Sequence, residues 1–243
     1  MKELAAIWEK RLFETERSYT RDLMAAVPPQ SYAVFGEHAE FDEVFRLWTQ
    51  DWPWYGLDKA RLWGLVLNLK RTLSRRTGAV AEIGVYKGNC ASVLAHYARR
   101  FGRALYLCDT FDGFDPRQFE RDMGPGKESA FKDTSLAVAK GRVGNYPDVR
   151  WVVGMFPDSL TDEMREDRYA FVHLDCDIYE PTAAGLTFFW PRLTPGGVIF
   201  VHDYGSGHWP GATRAVEEFV ASAKVEGVLL PDAAGSILFA KPG

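Results

Sequence analysis

The chain has 243 residues, 47% of them hydrophobic and 26% charged, with a formal net charge of −4. This composition can bury a sizeable core and excludes a globally disordered chain, and without a basic excess no nucleic-acid partner is expected. The start, Met1-Lys2-Glu3-Leu4, opens no long apolar run, and no stretch long and apolar enough for a membrane helix follows, so neither a signal peptide nor membrane association is expected and the location is read as cytoplasmic.

Residues 1–78 read as a helical N-terminal extension. Glu3–Leu23 predicts a helix. Pro28–Trp54 carries scattered aromatics and prolines with no clean period. Leu57–Ser74 predicts a second helix, with Leu62, Leu65, Val66 and Leu69 on one face. The extension is expected to pack over the mouth of the domain that follows. Trp48, Trp52, Trp54 and Tyr55 could stack on a ligand ring or simply pack against the core.

From residue 79 to 243, apolar runs of strand length alternate with amphipathic stretches. Strands are predicted at Val80–Gly84, Ala104–Cys108, Val149–Val153, Ala170–Leu174 and Gly197–Val201, with a final pair at Gly227–Leu230 and Ser236–Ala240. Helices are predicted at Cys90–Arg100, Ser135–Val143, Thr182–Trp190 and Ala212–Ser222, and Pro191–Pro195 reads as a break. The alternation implies an α/β fold: a doubly wound, mostly parallel seven-stranded sheet covered on both faces. Cys90, Cys108 and Cys176 form no C-x-x-C pair and read as small buried residues.

In such sheets ligands bind beyond the carboxyl ends of the strands, near the switch in strand order. Those ends here carry Glu82-x-Gly84, Asp109, Gly154, Asp175 and His202-Asp203. Gly84 and Gly88 flank the turn after the first core strand, where glycine lets the backbone turn tightly and approach a ligand. The next helix offers free N–H groups to an anion. The loop is E-x-G-x-x-x-G rather than the dinucleotide G-x-G-x-x-G. Asp109 follows Gly84 by 25 residues, at the end of the second strand, where a carboxylate can accept both ribose hydroxyls. An adenosine-type ligand fits both nicotinamide and S-adenosylmethionine enzymes.

Asp175-Cys176-Asp177 and His202-Asp203 end neighbouring strands and are expected to meet across the cleft. Carboxylates and an imidazole converging on one point could hold a divalent cation, which could orient a hydroxyl and lower its pKa, while a carboxylate or histidine takes the proton. Alternatively, Asp177 is a helix cap and His202 an ordinary strand-end residue.

These segments resemble the macrocin O-methyltransferase family, class I S-adenosylmethionine-dependent enzymes that methylate sugar hydroxyls of macrolide and related antibiotics. The resemblance rests on residues 173–182 (HLDCDIYEPT), 193–205 (LTPGGVIFVHDYG) and 211–219 (GATRAVEEF), together with Glu82–Gly88, Asp109–Phe114 and Gly154–Leu160. It covers roughly residues 57–220. It implies S-adenosylmethionine as donor and cofactor contacts at Glu82, Gly84, Gly88, Asp109 and the Gly154, Met155, Phe156 turn, with Tyr86, Asn89, Thr110, Phe111 and Asp175 beside them. It also implies a divalent metal, usually Mg²⁺, on Asp175, His202 and Asp203, with Asp175 also the proposed catalytic base. The family usually has aspartate where this chain has His202, a poorer ligand for Mg²⁺. The metal is read as retained, with His202 ligating a softer ion such as Mn²⁺; a metal-free site with His202 as catalytic base, and a spare His202 with altered activity, are the alternatives.

The acceptor is expected to be a small molecule carrying a sugar, or a phenol or catechol. Phe114–Lys127 reads as a lid, and His208 and Trp209 as acceptor-pocket residues. A homo-oligomer is expected from the family. A nicotinamide oxidoreductase and a non-catalytic adenosine-binding module remain as competing readings.

Overall fold

Strand and helix alternate from residue 79 onward in the computed structural model, which describes residues 38–50, 58–119, 127 and 130–243. Five strands are parallel: β1 (Ala79–Ile83), β2 (Leu105–Asp109), β3 (Val149–Val153), β4 (Tyr169–Leu174) and β5 (Leu193–Val201). Two more, β6 (Val228–Leu229) and β7 (Ile237–Ala240), complete the sheet in antiparallel fashion. The order is β3-β2-β1-β4-β5-β7-β6. The chain runs outward from β1 to β3 and then returns to lay β4 beside β1, so strand order reverses between β1 and β4. A crevice opens at the carboxyl ends there.

Eight helices are described: α1 (His38–Thr49), α2 (Lys59–Leu73), α3 (Asn89–Arg100), α4 (Pro116–Phe119), α5 (Leu136–Val143), α6 (Asp162–Glu166), α7 (Tyr179–Phe189) and α8 (Pro210–Ala223). Side chains alternate across each strand. Val80, Leu107, Phe171 and Phe200 therefore meet Trp48, Leu62, Leu65 and Val93 on one face. Ala81, Tyr106, Val172 and Ile199 meet Leu186, Phe189, Val216 and Phe219 on the other. Burial on both faces is what makes the strands read as near-continuous apolar runs. Phe189 is fully buried among aromatic neighbours, a site where truncation to alanine costs about 3–5 kcal/mol.

The structure departs from the sequence reading in four places. Helix α1 lies within Pro28–Trp54, where no period was legible; its apolar face is the short set Val44, Phe45 and Trp48. The short helices α4 and α6 span only about one turn each, too short to show a period in the sequence. Pro191–Pro195 does not fully interrupt the chain: β5 already begins at Leu193, which pairs with Tyr169, while Val198 pairs with Phe171. Residues 194–197 thus bulge opposite Ala170, and the proline and glycines sit in that bulge. Finally, β6 is only two residues long.

The described helices of the N-terminal segment lie along the α3 face. Asp58 caps α2, its carboxylate accepting the Arg61 backbone N–H at 3.0 Å. Among the described residues no helix is long and apolar enough to cross a membrane.

Candidate active site

The first wall of the crevice is the loop after β1. Gly84 has φ +90°, and a Cβ there would lie 1.9 Å from the Asp175 carbonyl oxygen. Only glycine lets the β1 and β4 ends pass this closely. The crossing is pinned by Asp175 N–H donating to Ile83 O at 2.9 Å and Gly84 N–H donating to Cys108 O at 3.0 Å. Asp109 then braces the loop. Its Oδ2 accepts N–H from Val85 (2.7 Å) and Tyr86 (2.8 Å), and its Oδ1 accepts from Phe111 (2.6 Å). A carboxylate has about four acceptor positions, so Asp109 keeps capacity for a ligand hydroxyl. Residues 131–134 fold over the loop: Tyr86 donates to Asp133 at 2.6 Å, Lys87 pairs with Asp133, and Thr134 donates to Tyr86 O at 2.7 Å.

The cavity inside this loop is lined by Gly84, Tyr86, Asp109, Thr110, Gly154, Met155 and Phe156 on one side and by Asp175, His202 and Asp203 on the other. Thus most of the residues expected to hold a cofactor share one space with the acid–histidine cluster. Four others do not line it. Glu82 is fully buried behind the loop, because its place in β1 points it to the α3 face; there Oε1 lies 2.9 Å from His173 Nδ1, itself 3.4 Å from Cys90 Sγ. Asn89 turns away to donate to Trp48 O at 2.8 Å and Gln50 O at 3.2 Å, and accepts from Arg142. The Phe111 ring packs on Trp151 in the core beneath. Gly88, at φ +87°, starts α3 and packs against Ala139. These four shape the loop from behind. All three cysteines are free and buried.

At the second wall, His202 Nδ1 lies 2.8 Å from Asp175 Oδ1 and 2.7 Å from Asp203 Oδ2. Acceptor oxygens on both sides make Nδ1 the proton-bearing ring nitrogen. Arg61 Nη2 donates to Asp175 Oδ2 at 2.5 Å. Burial pushes the Asp175 pKa up, but Arg61 and His202 outweigh it and hold the carboxyl well below its ordinary range. Burial and Arg61 pull His202 down, yet Asp203 and Asp175 prevail and leave it well above its ordinary value. Asp177, at φ 64°, also lines the cavity; burial, then Asp203 and Asp175, push its carboxyl well up.

Arg61 is a site residue that the motifs of the sequence do not mark. The signal was present: a cation four residues before Leu65 and eight before Leu69, on the apolar stripe of an amphipathic helix.

A divalent cation would need ligand atoms of Asp175, His202 and Asp203 turned toward it. Such atoms lie within 4.8 Å of one another. The facing oxygens, however, accept from N–H groups, and Nδ1 cannot both carry that proton and ligate a metal. As arranged, a cation drawing on these facing atoms would have to displace the Arg61 and His202 N–H donors.

Aromatic rings frame the mouth. Phe114, Phe131 and Trp209 line the cavity and contact one another at centroid distances of 5.3–6.0 Å. Lys127 lies over the Trp209 ring at 4.1 Å and donates to His208 O. Trp209 lines the cavity and His208 does not. Trp48 is buried core. Trp52, Trp54, Tyr55, the helix at Glu3–Leu23 and the 120–126 part of the expected lid lie outside the described residues.

The fold is the class I methyltransferase fold. The O-methyltransferase NovP superposes with a TM-score of 0.61 at 21% identity, covering 74% of this chain and 80% of that one. An O-methyltransferase from Bacillus cereus, solved with SAH, superposes at 0.55 and 15% identity, covering 94% and 99%. The chain belongs to the macrocin-O-methyltransferase (TylF) family, a family of methyltransferases whose sequence model matches residues 3–232. It is 31% identical over 157 residues to mycinamicin III 3''-O-methyltransferase of Micromonospora griseorubida, a match spanning 58% of this chain and only 60% of that enzyme. It is 28% identical over 193 residues to 8-demethyl-8-(2,3-dimethoxy-alpha-L-rhamnosyl)-tetracenomycin-C 4'-O-methyltransferase of Streptomyces olivaceus, spanning 73% and 72%.

Proposed function

We propose that the protein is an S-adenosylmethionine-dependent O-methyltransferase acting on a sugar hydroxyl of a glycosylated natural product. The observation that carries this reading is the placement of His202, held by two carboxylates, in the same cavity as the Gly84–Tyr86 loop and Asp109. The sugar acceptor is supported by the tetracenomycin relative, whose name carries a dimethoxy-rhamnosyl group.

S-adenosylmethionine fits the donor set: Asp109 and Thr110 for ribose hydroxyls, and Met155 and Phe156 as an apolar surface, all lining one cavity. When bound it supplies an electrophilic methyl group, the C–S electron pair returning to sulfur. The protein's residues position the acceptor oxygen in line with that methyl. Neutral His202 takes the hydroxyl proton; because Asp203 and Asp175 favour the imidazolium, the base form is the minor one at neutral pH. With Nδ1 turned to Asp175 and Asp203, Nε2 is the ring atom left to accept the proton, and the carboxylates stabilise the imidazolium that forms. A divalent metal, which the family resemblance implies, would have to displace the N–H donors that hold these carboxylates.

The test incubates the protein with methyl-labelled S-adenosylmethionine and a panel of rhamnosylated and macrolide glycosides, their aglycones, and catechols. Label on the sugar oxygen is expected. Label on aglycones or catechols alone, or on nothing, overturns the reading. His202→Gln is expected to keep SAH affinity and to lower kcat by roughly 10²–10⁴-fold.

A further inference from the structure

We propose that the Arg61 guanidinium takes the electrostatic place of the divalent cation at Asp175, His202 and Asp203, so that this site operates without a bound metal. The inference rests on the methyltransferase reading above for its activity arm, but its geometry stands apart from it.

Three observations converge. First, the oxygens a cation would need accept N–H groups: Asp175 Oδ2 from Arg61 at 2.5 Å, Asp175 Oδ1 and Asp203 Oδ2 beside His202 Nδ1 at 2.8 and 2.7 Å. Second, Arg61 is built in rather than resting on a surface. Its side chain is 7% exposed, it sits in the first turn of α2, its backbone N–H is held by Asp58, and its guanidinium lies over the Trp48 ring at 5.2 Å. Third, Arg61 lines the same cavity as His202 and Asp203. A second, divalent positive charge there would face the guanidinium across Asp175, a like-charge contact in a place poorly screened by water.

The replacement is chemically coherent. A guanidinium stays charged at any working pH and presents its donors in a fixed plane. It can therefore hold Asp175 toward His202 permanently, where a metal would have to bind first. Arg61 is a positioning residue in this arrangement: it acts on the acceptor through Asp175 and His202. Histidine in place of a third carboxylate belongs to the same change. With Arg61 present, an aspartate at position 202 would add negative charge and give up the donor that Asp175 and Asp203 share.

The experiment reads metal binding directly. The full chain, saturated with SAH, is titrated with Mn²⁺ and free Mn²⁺ is followed by electron paramagnetic resonance. In parallel, methyl transfer is assayed before and after exhaustive chelation. No Mn²⁺ binding is expected up to about 1 mM, with chelated activity within about twofold of the untreated enzyme. The double variant Arg61→Ala/His202→Asp removes the guanidinium and restores a third carboxylate. It is expected to bind Mn²⁺ at least about tenfold more tightly than the parent, with circular dichroism confirming that it is folded.

Micromolar Mn²⁺ binding by the parent protein overturns the proposal, as does activity lost on chelation and restored by Mg²⁺ or Mn²⁺. A folded double variant that still fails to bind Mn²⁺ also overturns it, since Arg61 would then not be what excludes the metal. If the double variant does not fold, the parent titration decides alone. A parent that binds no Mn²⁺ and methylates nothing supports this inference and counts against the functional reading instead.

Discussion

Asp109 Oδ2 accepts the backbone N–H of Tyr86 at 2.8 Å, tying the end of β2 to the loop that leaves β1. The same oxygen accepts Val85 N–H at 2.7 Å, so one carboxylate atom fixes two successive amides. Asp109→Asn replaces one acceptor oxygen with a donor that cannot accept either amide. Hydrogen bonds to charged groups contribute about 1.5–3 kcal/mol. The variant is expected to lose that much stability and at least about tenfold in SAH affinity, read by thermal denaturation and calorimetric titration. Unchanged SAH affinity would remove Asp109 from the account of the loop.

Two glycines in the same loop differ in what surrounds them. At Gly84 an added Cβ meets the Asp175 carbonyl oxygen at 1.9 Å; at Gly88 it meets the Ala139 backbone at 3.2 Å. Both have positive φ. Alanine at either position incurs about 1–2 kcal/mol of left-handed backbone strain. At Gly84 an overlap with rigid backbone adds about 1–3 kcal/mol or more. Gly84→Ala is therefore expected to be the more destabilising and to abolish SAH binding. Equal melting temperatures for the two variants would contradict this ranking.

Glu40 anchors α1 to the rest of the domain. It accepts from Lys70 at 2.8 Å, Tyr97 at 2.9 Å and Arg100 at 3.0 Å. Burial raises its pKa, but the hydrogen bonds from Lys70 and Tyr97, with the nearby cations, outweigh it and lower the carboxyl below its usual value. The folded state thus favours the ionised form. Its contribution is present above the unfolded-state pKa and is lost as pH falls through the lowered one. Glu40→Gln is expected to destabilise the protein at neutral pH and to narrow its stability gap to the parent as pH falls below about 4. Urea melts across that range measure it, and a pH-independent gap would be the contrary result.

Trp209 touches Phe114 and Phe131 at the cavity mouth and reaches the loop that Asp109 braces only through Phe131, which packs edge-on to Tyr86 at 5.1 Å. If these rings form the platform on which the acceptor lies, Trp209→Ala is expected to raise acceptor KM about tenfold while leaving SAH affinity within twofold. A selective loss of SAH binding would instead place the rings on the cofactor side.

Much of the fold was legible because burial on both faces forces unbroken apolar strands, as in Phe171-Val172-His173-Leu174. The strand ends that share the cavity, Asp109, Asp175 and His202-Asp203, were legible for the same reason: a polar residue closing an apolar run marks a carboxyl end. What the sequence could not convey was direction. Glu82 and Asn89 sit in the motif, yet strand alternation and the helix start turn both behind the loop. Arg61 was hidden by distance, since its partner Asp175 lies 114 residues away and no local period links them. Helix α1 was masked by prolines and aromatics crowding a short apolar face.

The β1–β4 junction has a further consequence for how this protein is made. Glu82 and His173, in contact across it, are 91 residues apart. Closing a loop of that length costs about 4 kcal/mol of chain entropy before any contact repays it. A growing chain that has completed β1, α3 and β2 therefore possesses the glycine loop but not the opposing wall. If the cofactor binds as proposed, its affinity is expected only once the fourth strand docks, so SAH binding during refolding would report, and stabilise, that long-range pairing.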